Sequence, residues 1–241
     1  MTAREQQYTS QQSIFFRSSS ELFFFTGTYK DDCFTFGIPD HYRDRIIPLF
    51  EGISPEDIMS ERADVGIISA AAAITGRPAD TIRITHSVDY YFTPGQGTAE
   101  DIQNDAVFTH EDAGILTGKL GDDKLLKYLI AANKYYAVYL ADGKIAAFCM
   151  DNSNGCITVQ AEPQYRGRGY TTLCLKKVTA MIARDRAYPE IAYPTDRKNI
   201  AACRVAEHAG YVRRSEGIWV IVKAKLELLD GEFVKTSVRI V

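Results

Sequence analysis

The chain has 241 residues, 46% of them hydrophobic and 24% charged, with a formal net charge of −3, an ordinary balance for a soluble globular protein of about two small domains. Its longest uncharged stretch, residues 65–76, is far short of a bilayer span, and no Lys/Arg stripe interleaved with aromatics marks a nucleic-acid binder. The N-terminal run Met1-Thr2-Ala3-Arg4 lacks the apolar core of a signal peptide, so a cytosolic chain with no membrane segment is expected.

The five cysteines, Cys33, Cys149, Cys156, Cys174 and Cys203, are odd in number and show no metal-type spacing. They read as reduced thiols, with no metal site. Charge is uneven, at −6 over residues 1–100 and +3 over residues 101–241. A basic C-terminal part suits a polyanionic ligand and an acidic N-terminal part suits a cationic one, although plain surface variation accounts for the numbers equally well.

In chain order, residues 1–20 are polar around Ile14-Phe15-Phe16 and read as partly disordered or as a lone edge strand. Residues 21–28 and 33–37 read as two strands joined across Tyr29-Lys30-Asp31-Asp32, with Phe23-Phe24-Phe25 in a strand buried on both faces. Residues 40–50 predict a short helix. Ser54-Pro55-Glu56-Asp57 is a helix start, with a Ser cap and Pro at the first position; the helix is expected to break near Gly66, resume over 67–74 and end at Gly76-Arg77-Pro78. Residues 81–93 alternate as a strand, and Pro94-Gly95-Gln96-Gly97-Thr98 reads as a linker.

The division is therefore expected at 97/98: a smaller α/β domain over 1–97, without a nameable motif, and a second domain over 98–241. In the second, 106–108 reads as a strand and Thr109-His110-Glu111-Asp112 as a capping-box helix start. Helices follow to Leu120 and over 122–132. Strands over 135–141 and 144–150 make a hairpin across Asp142-Gly143, and the turn Asn152-Ser153-Asn154-Gly155 leads to a strand from Cys156. Later come a helix after residue 170, a strand around 191–193, a helix from Asn199, strands over 211–215 and 218–225, and a last strand over 233–241 after an Asp230-Gly231 turn. That tail can pair with the N-terminal part.

The stretch between the strand at Cys156 and its following helix is the most informative. Gln164-Tyr165-Arg166-Gly167-Arg168-Gly169-Tyr170 places glycines and arginines where several backbone N–H groups point outward at a helix start, a cradle for phosphate. A Walker loop would need Gly-Lys-Ser/Thr, which is absent, and a dinucleotide fingerprint would need a third glycine where Thr172 stands.

The run over 162–170, Glu-Pro-Gln-Tyr-Arg-Gly-Arg-Gly-Tyr, closely resembles the pyrophosphate loop of the GNAT superfamily of acyl-CoA-dependent N-acyltransferases. A second block over 196–211, with Asn199 or Asp196 as helix cap and Gly210-Tyr211 at its end, is similar to that superfamily's next shared block. Its wording is nearest to the branch of ribosomal-protein alanine N-acetyltransferases, a similarity of helix only. The resemblance implies a mixed, mostly antiparallel central sheet flanked by helices, with the 1–97 part standing by analogy as a divergent half of the same type.

It further implies transfer of an acyl group, taken as acetyl, from CoA to a primary amine of a small molecule or peptide by direct attack. The cofactor is acetyl-CoA or another acyl-CoA; the partners are that donor and an amine acceptor, with a homodimer left open. The implied cofactor residues are Thr158, Val159, Gln164, Arg166, Gly167, Arg168, Gly169, Tyr170, Thr171 and Asn199, with a backbone N–H near Val159 polarising the thioester carbonyl. The chain departs from the pattern at Ala206, where the superfamily's acid Tyr stands when present. The thiolate then leaves unassisted, or another group protonates it, for which Tyr170 and Tyr193 are the candidates. Glu162 is the candidate base, its competing reading being a solvated loop carboxylate. His208 reads as a surface residue near a helix end, His110 as part of a helix start, and His41 and His86 have no motif context. The alternative function is a non-catalytic acyl-CoA-binding regulatory or interaction module.

Overall fold

The computed structural model describes residues 6–9, 21–30, 33–39, 42–50, 53–96, 102–223 and 233–239. Most of the 1–20 segment, His41, Asp31-Asp32, the end of the 94–98 linker and the Asp230-Gly231 turn lie outside these, as do the side chains of Phe23, Phe24 and Phe25.

In chain order the elements are β1 (Gln6–Thr9), β2 (Glu21–Lys30), β3 (Cys33–Pro39), α1 (Arg43–Ile46), α2 (Pro55–Ile58), α3 (Asp64–Thr75) and β4 (Ile82–Phe92). There follow β5 (Val107–Thr109), α4 (Ala113–Leu120), α5 (Lys124–Ala132), β6 (Tyr136–Ala141), β7 (Lys144–Asp151), β8 (Ile157–Ala161) and α6 (Tyr170–Asp185). The chain closes with β9 (Ile191–Asp196), α7 (Ile200–His208), β10 (Val212–Lys223) and β11 (Phe233–Arg239). Two compact units result, one of residues 1–88 with 214–241 and one of residues 89–213. This partition differs from a single division at 97/98 in giving the C-terminal tail to the first unit.

The tail joins the first unit through strand pairing. β11 lies antiparallel between β1 and β3, and β2 pairs with both β3 and β10. The α1–α3 region covers this sheet with Ile46, Phe50, Ile58, Met59 and Ala71 against Ile82, Ile218, Val220 and Val222.

Three expectations are corrected here. The helix over 40–50 is α1 followed by a 3-10 turn, Ile47–Phe50. The interruption falls between α2 and α3 and not at Gly66, which sits inside the first turns of α3. Ser54 Oγ accepts from Asp57 N–H at 3.1 Å to start α2, while α3 has its own acidic first turn and a left-handed end at Gly76. A glycine within a helix costs about 1 kcal/mol, which the burial of α3's apolar residues on the cluster offsets. Third, the two strands expected over 211–215 and 218–225 are, within the described residues, one strand, β10 (Val212–Lys223), which runs through Gly217; residues 224–225 lie outside the described residues. A Cβ at Gly217 would run into Ser87 Oγ and stand 3.0 Å from Gly27 O, so this glycine marks close strand packing, not a turn.

The second unit is built on the antiparallel sheet β5-β6-β7-β8. Its two faces differ in side-chain size. On one, Tyr136, Val138, Phe148 and Met150 pack with Leu116, Leu126 and Leu129 of α4 and α5. On the other, the buried small residues Ala137, Ala147 and Cys149 let α6 lie close, with Cys174, Leu175, Val178 and Ile182 fully buried. The β6–β7 turn has Asp142 at φ 51 and Gly143 at φ 70, the backbone of a two-residue hairpin whose twist matches its strands. Among the described residues no helix is long and apolar enough to cross a membrane, and Cys149, Cys156, Cys174 and Cys203 are free thiols.

Candidate functional site

The second unit holds a groove of about 680 Å³ walled by β8, the start of α6, the end of β9 and one side of α7. β8 supplies an edge. Its N–H and C=O groups alternate between partners on β7 and the groove, and Glu162 N–H donating to Ala146 O at 3.0 Å fixes the phase. Thr158 and Gln160 therefore turn their backbone groups to β7, while Val159 turns its N–H and C=O outward. The Ala161 carbonyl, also outward, accepts from Arg166 Nε at 3.3 Å.

That edge stays open because β8 and β9 meet at one rung. Cys156 bridges Ala192 in parallel, and Ala192 N–H donates to Gly155 O at 2.8 Å; beyond it the two strands diverge around the groove. Gly155, at φ 75, is required here, since a Cβ would press to 3.1 Å on the Tyr188 ring.

The start of α6 is the second wall. Gly169 is its N-cap residue at φ 79 and offers no side-chain cap. Leu173 N–H closes the first turn on Gly169 O at 3.2 Å, so the N–H groups of Tyr170, Thr171 and Thr172 have no partner within the helix. Gly167 is left-handed too, at φ 75, and Arg166 and Arg168 are exposed beside it. The first turn carries no acidic residue. Outward N–H groups, the positive end of a helix and two exposed arginines line the same groove, which suits an anion.

The structure brings together Thr158, Val159, Arg166, Gly167, Arg168, Gly169, Tyr170, Thr171 and Asn199 along this groove. Glu162 and Gln164 are exposed and are not among its lining residues. Both stand where β8 gives way to the 3-10 turn Pro163–Tyr165, which swings the chain off the strand direction. Thr158 joins the wall, but its hydroxyl lies 3.1 Å from Asn152 Nδ2. Asn199 caps α7, its Oδ1 accepting from Ala202 N–H at 3.1 Å, which leaves its amide NH₂ to donate.

Sequence reasoning missed Thr195, Arg204 and Val205 as groove residues. Arg204 and His208 both line the groove from α7, at the i, i+4 spacing that puts two side chains on one helix face; that spacing was a usable signal. His208 is exposed as expected. His110 lies off the groove, its ring 6.0 Å from Tyr135, and Thr109 and Asp112 form the capping box of its turn. His86 is buried in the first unit, Nε2 2.9 Å from Asp64 Oδ1.

The groove's tyrosines differ. Tyr165 is buried and donates to Asp142 Oδ2 at 3.0 Å, which pushes its phenol pKa upward. Tyr170 lies flat on Tyr139, ring centroids 3.8 Å apart at 9°. Tyr193 is 3% exposed, and burial pushes its phenol well above the ordinary range.

Residues 125–212 match the model of the acetyltransferase (GNAT) domain. The matched domain type is one of acyl transfer. Among solved structures, a Drosophila protein is similar over 82% of this chain and 79% of its own, with TM-score 0.51 and 11% identity, a likeness of fold. Also similar are a GCN5-related N-acetyltransferase from Sphaerobacter thermophilus (TM-score 0.45, 14% identity, 80% of this chain and 76% of that one) and a protein described as a GNAT-family acetyltransferase from Novosphingobium aromaticivorans (TM-score 0.42, 17% identity, 61% and 70%). No curated protein matches the chain in sequence.

Proposed function

We propose that the second unit is an acyl-CoA-dependent N-acyltransferase that uses acetyl-CoA and acylates a primary amine. The observation that carries this reading is the union, in one groove, of an uncapped glycine-rich helix start and an open strand edge. The first suits a pyrophosphate and the second suits an amide-bearing arm, so the residues present fit acyl-CoA.

When bound, acyl-CoA supplies an acyl group activated as a thioester. The N–H groups at the start of α6 and the guanidinium groups of Arg166 and Arg168 hold its negative charge. Val159 C=O pairs with the arm along β8, and Val159 N–H stabilises negative charge on the carbonyl oxygen under attack. Asn199 donates its free amide NH₂ to the arm.

At Ala206 there is no hydroxyl to protonate the departing sulfur. Tyr165 and Tyr170 are engaged elsewhere, which leaves Tyr193: its burial keeps the phenol protonated at neutral pH, ready to donate from its OH. A thiol with a pKa of about 8.5 is also a tolerable leaving group unaided. Glu162 is off the groove wall, so its acceptance of the ammonium proton runs through solvent.

A second reading, a binding module without turnover, is favoured by Ala206 together with the exposed position of Glu162. The two separate on one assay of thiol release from acetyl-CoA across a panel of amines. Release that depends on an amine is expected; tight binding with no release from any amine would establish the module instead.

A further inference from the structure

The loop that carries Gly167 and Gly169 is attached at both of its ends to a part of the sheet that does not line the groove. Just before it, Tyr165 is buried and donates to Asp142 Oδ2 at 3.0 Å, a contact across 23 residues of sequence. Just after it, Tyr170 lies stacked on Tyr139. Asp142 is the turn residue of the β6–β7 hairpin and Tyr139 belongs to β6, so one hairpin grips the loop twice. Within the grip, Tyr165 and Tyr170 stand 6.5 Å apart between ring centroids, and the Arg168 guanidinium lies 5.5 Å above the Tyr165 ring.

The loop has little else to hold it. Residues 166–169 are exposed. Two of the four are glycines, the residues that lose most conformational freedom when fixed. Beyond the ring contact of Arg168, the loop's hydrogen bonds among the described residues are those of Arg166, from its N–H to Pro163 O at 3.4 Å and from its Nε to Ala161 O, and that of Gly169 O, which accepts from Leu173 N–H at 3.2 Å. A loop free to wander would have to be ordered by each ligand it takes, and affinity would fall accordingly. Asp142 sits at φ 51, the left-handed conformation that the two-residue hairpin turn requires, and its carboxylate accepts from the Tyr165 hydroxyl.

We propose that the β6–β7 hairpin is a brace that pre-sets the anion-holding loop, with Asp142 and Tyr139 as positioning residues for the pyrophosphate of acyl-CoA. The inference rests on the proposed function for the identity of the ligand, but the brace acts on any pyrophosphate the loop holds.

The test is calorimetric titration of the full chain with CoA and, separately, with inorganic pyrophosphate, using wild type, Asp142→Gly, Asp142→Asn, Tyr165→Phe and the double variant Asp142→Gly/Tyr165→Phe. Gly and Asn both accept the left-handed backbone, so the turn survives in each. Only Gly removes the acceptor. Asp142→Gly and Tyr165→Phe should each weaken binding about tenfold, the scale of one hydrogen bond to a charged group. The double variant should be no weaker than either single one, and Asp142→Asn should restore most of the affinity.

Wild-type affinity in both Asp142→Gly and Tyr165→Phe, even with a lowered melting temperature, would overturn the brace and leave a merely structural contact. If Asp142→Gly fails to fold, Tyr165→Phe alone decides between these. Wild type that binds pyrophosphate and not CoA would overturn the acyl-CoA reading while the brace is still measured on pyrophosphate. Binding of neither would overturn both.

Discussion

Helices α6 and α7 begin beside the same groove, and they begin in opposite ways. α7 closes its own end, with Asn199 accepting from Ala202 N–H. α6 starts at Gly169, which has no side chain to offer, and leaves its first N–H groups facing the groove. A helix start is normally completed by the chain itself at a gain of about 1 kcal/mol. Where a chain forgoes that gain on one helix and takes it on the next, the open one is available to something else. The arginines at 166 and 168, on the loop that enters α6, make the contrast sharper.

The largest break in that contrast should come from Gly167→Glu. A carboxylate in the loop repels an anion, and the side chain is strained at φ 75. Binding of acetyl-CoA should become undetectable by titration calorimetry while far-ultraviolet circular dichroism stays that of the wild type. Unchanged affinity would remove the loop from the site. Next in size is Arg166→Ala together with Arg168→Ala: affinity should drop roughly tenfold to a hundredfold, and the salt dependence of binding should flatten.

The converse variant tests the closed end. Asn199→Ala should cost about 1 kcal/mol of stability, a fall in melting temperature of roughly 2–4 °C for a chain of this length, with only a minor loss of affinity from the missing amide. A loss of binding as large as that of the loop variants would mean that α7 is an open end as well.

The smallest effect belongs to the far end of α6. There Asp185 accepts from Arg184 and from Tyr135, and these contacts hold its carboxyl below the usual range. Its contribution is fully present above the unfolded pKa and is lost as pH falls through the lower folded one. Asp185→Asn should therefore flatten the acid limb of a plot of melting temperature against pH below about pH 4 and leave the neutral region almost untouched.

How much of this was legible before the fold was known depends on the range of the interaction. The Asp142-Gly143 hairpin, the glycine cradle and the Asn199 cap are written within a few residues each, and each stands in the structure where its local chemistry puts it. The grip of Asp142 on Tyr165 and of Tyr139 on Tyr170 joins residues far apart in sequence, and nothing in either partner announces the other. Gly66 and Gly217 show the reverse error. The first was read as a helix break and the second fell in the gap between two expected strands, but Gly66 is carried inside α3 and Gly217 answers to Ser87 and Gly27 on other strands. Glu162 and Gln164 sit in a motif whose glycines line the groove, yet the 3-10 turn after β8 sends both elsewhere.

The single rung between β8 and β9 has a consequence for handling the protein. A strand whose outward amides and carbonyls lack a partner is a template for any extended segment that comes near, including one from another molecule. A ligand lying along Val159 would occupy that template. Light scattering of concentrated, ligand-free protein should therefore rise faster on storage than that of the same sample kept with CoA, and a proline placed at Val159, which abolishes the outward N–H, should slow the rise without any ligand at all.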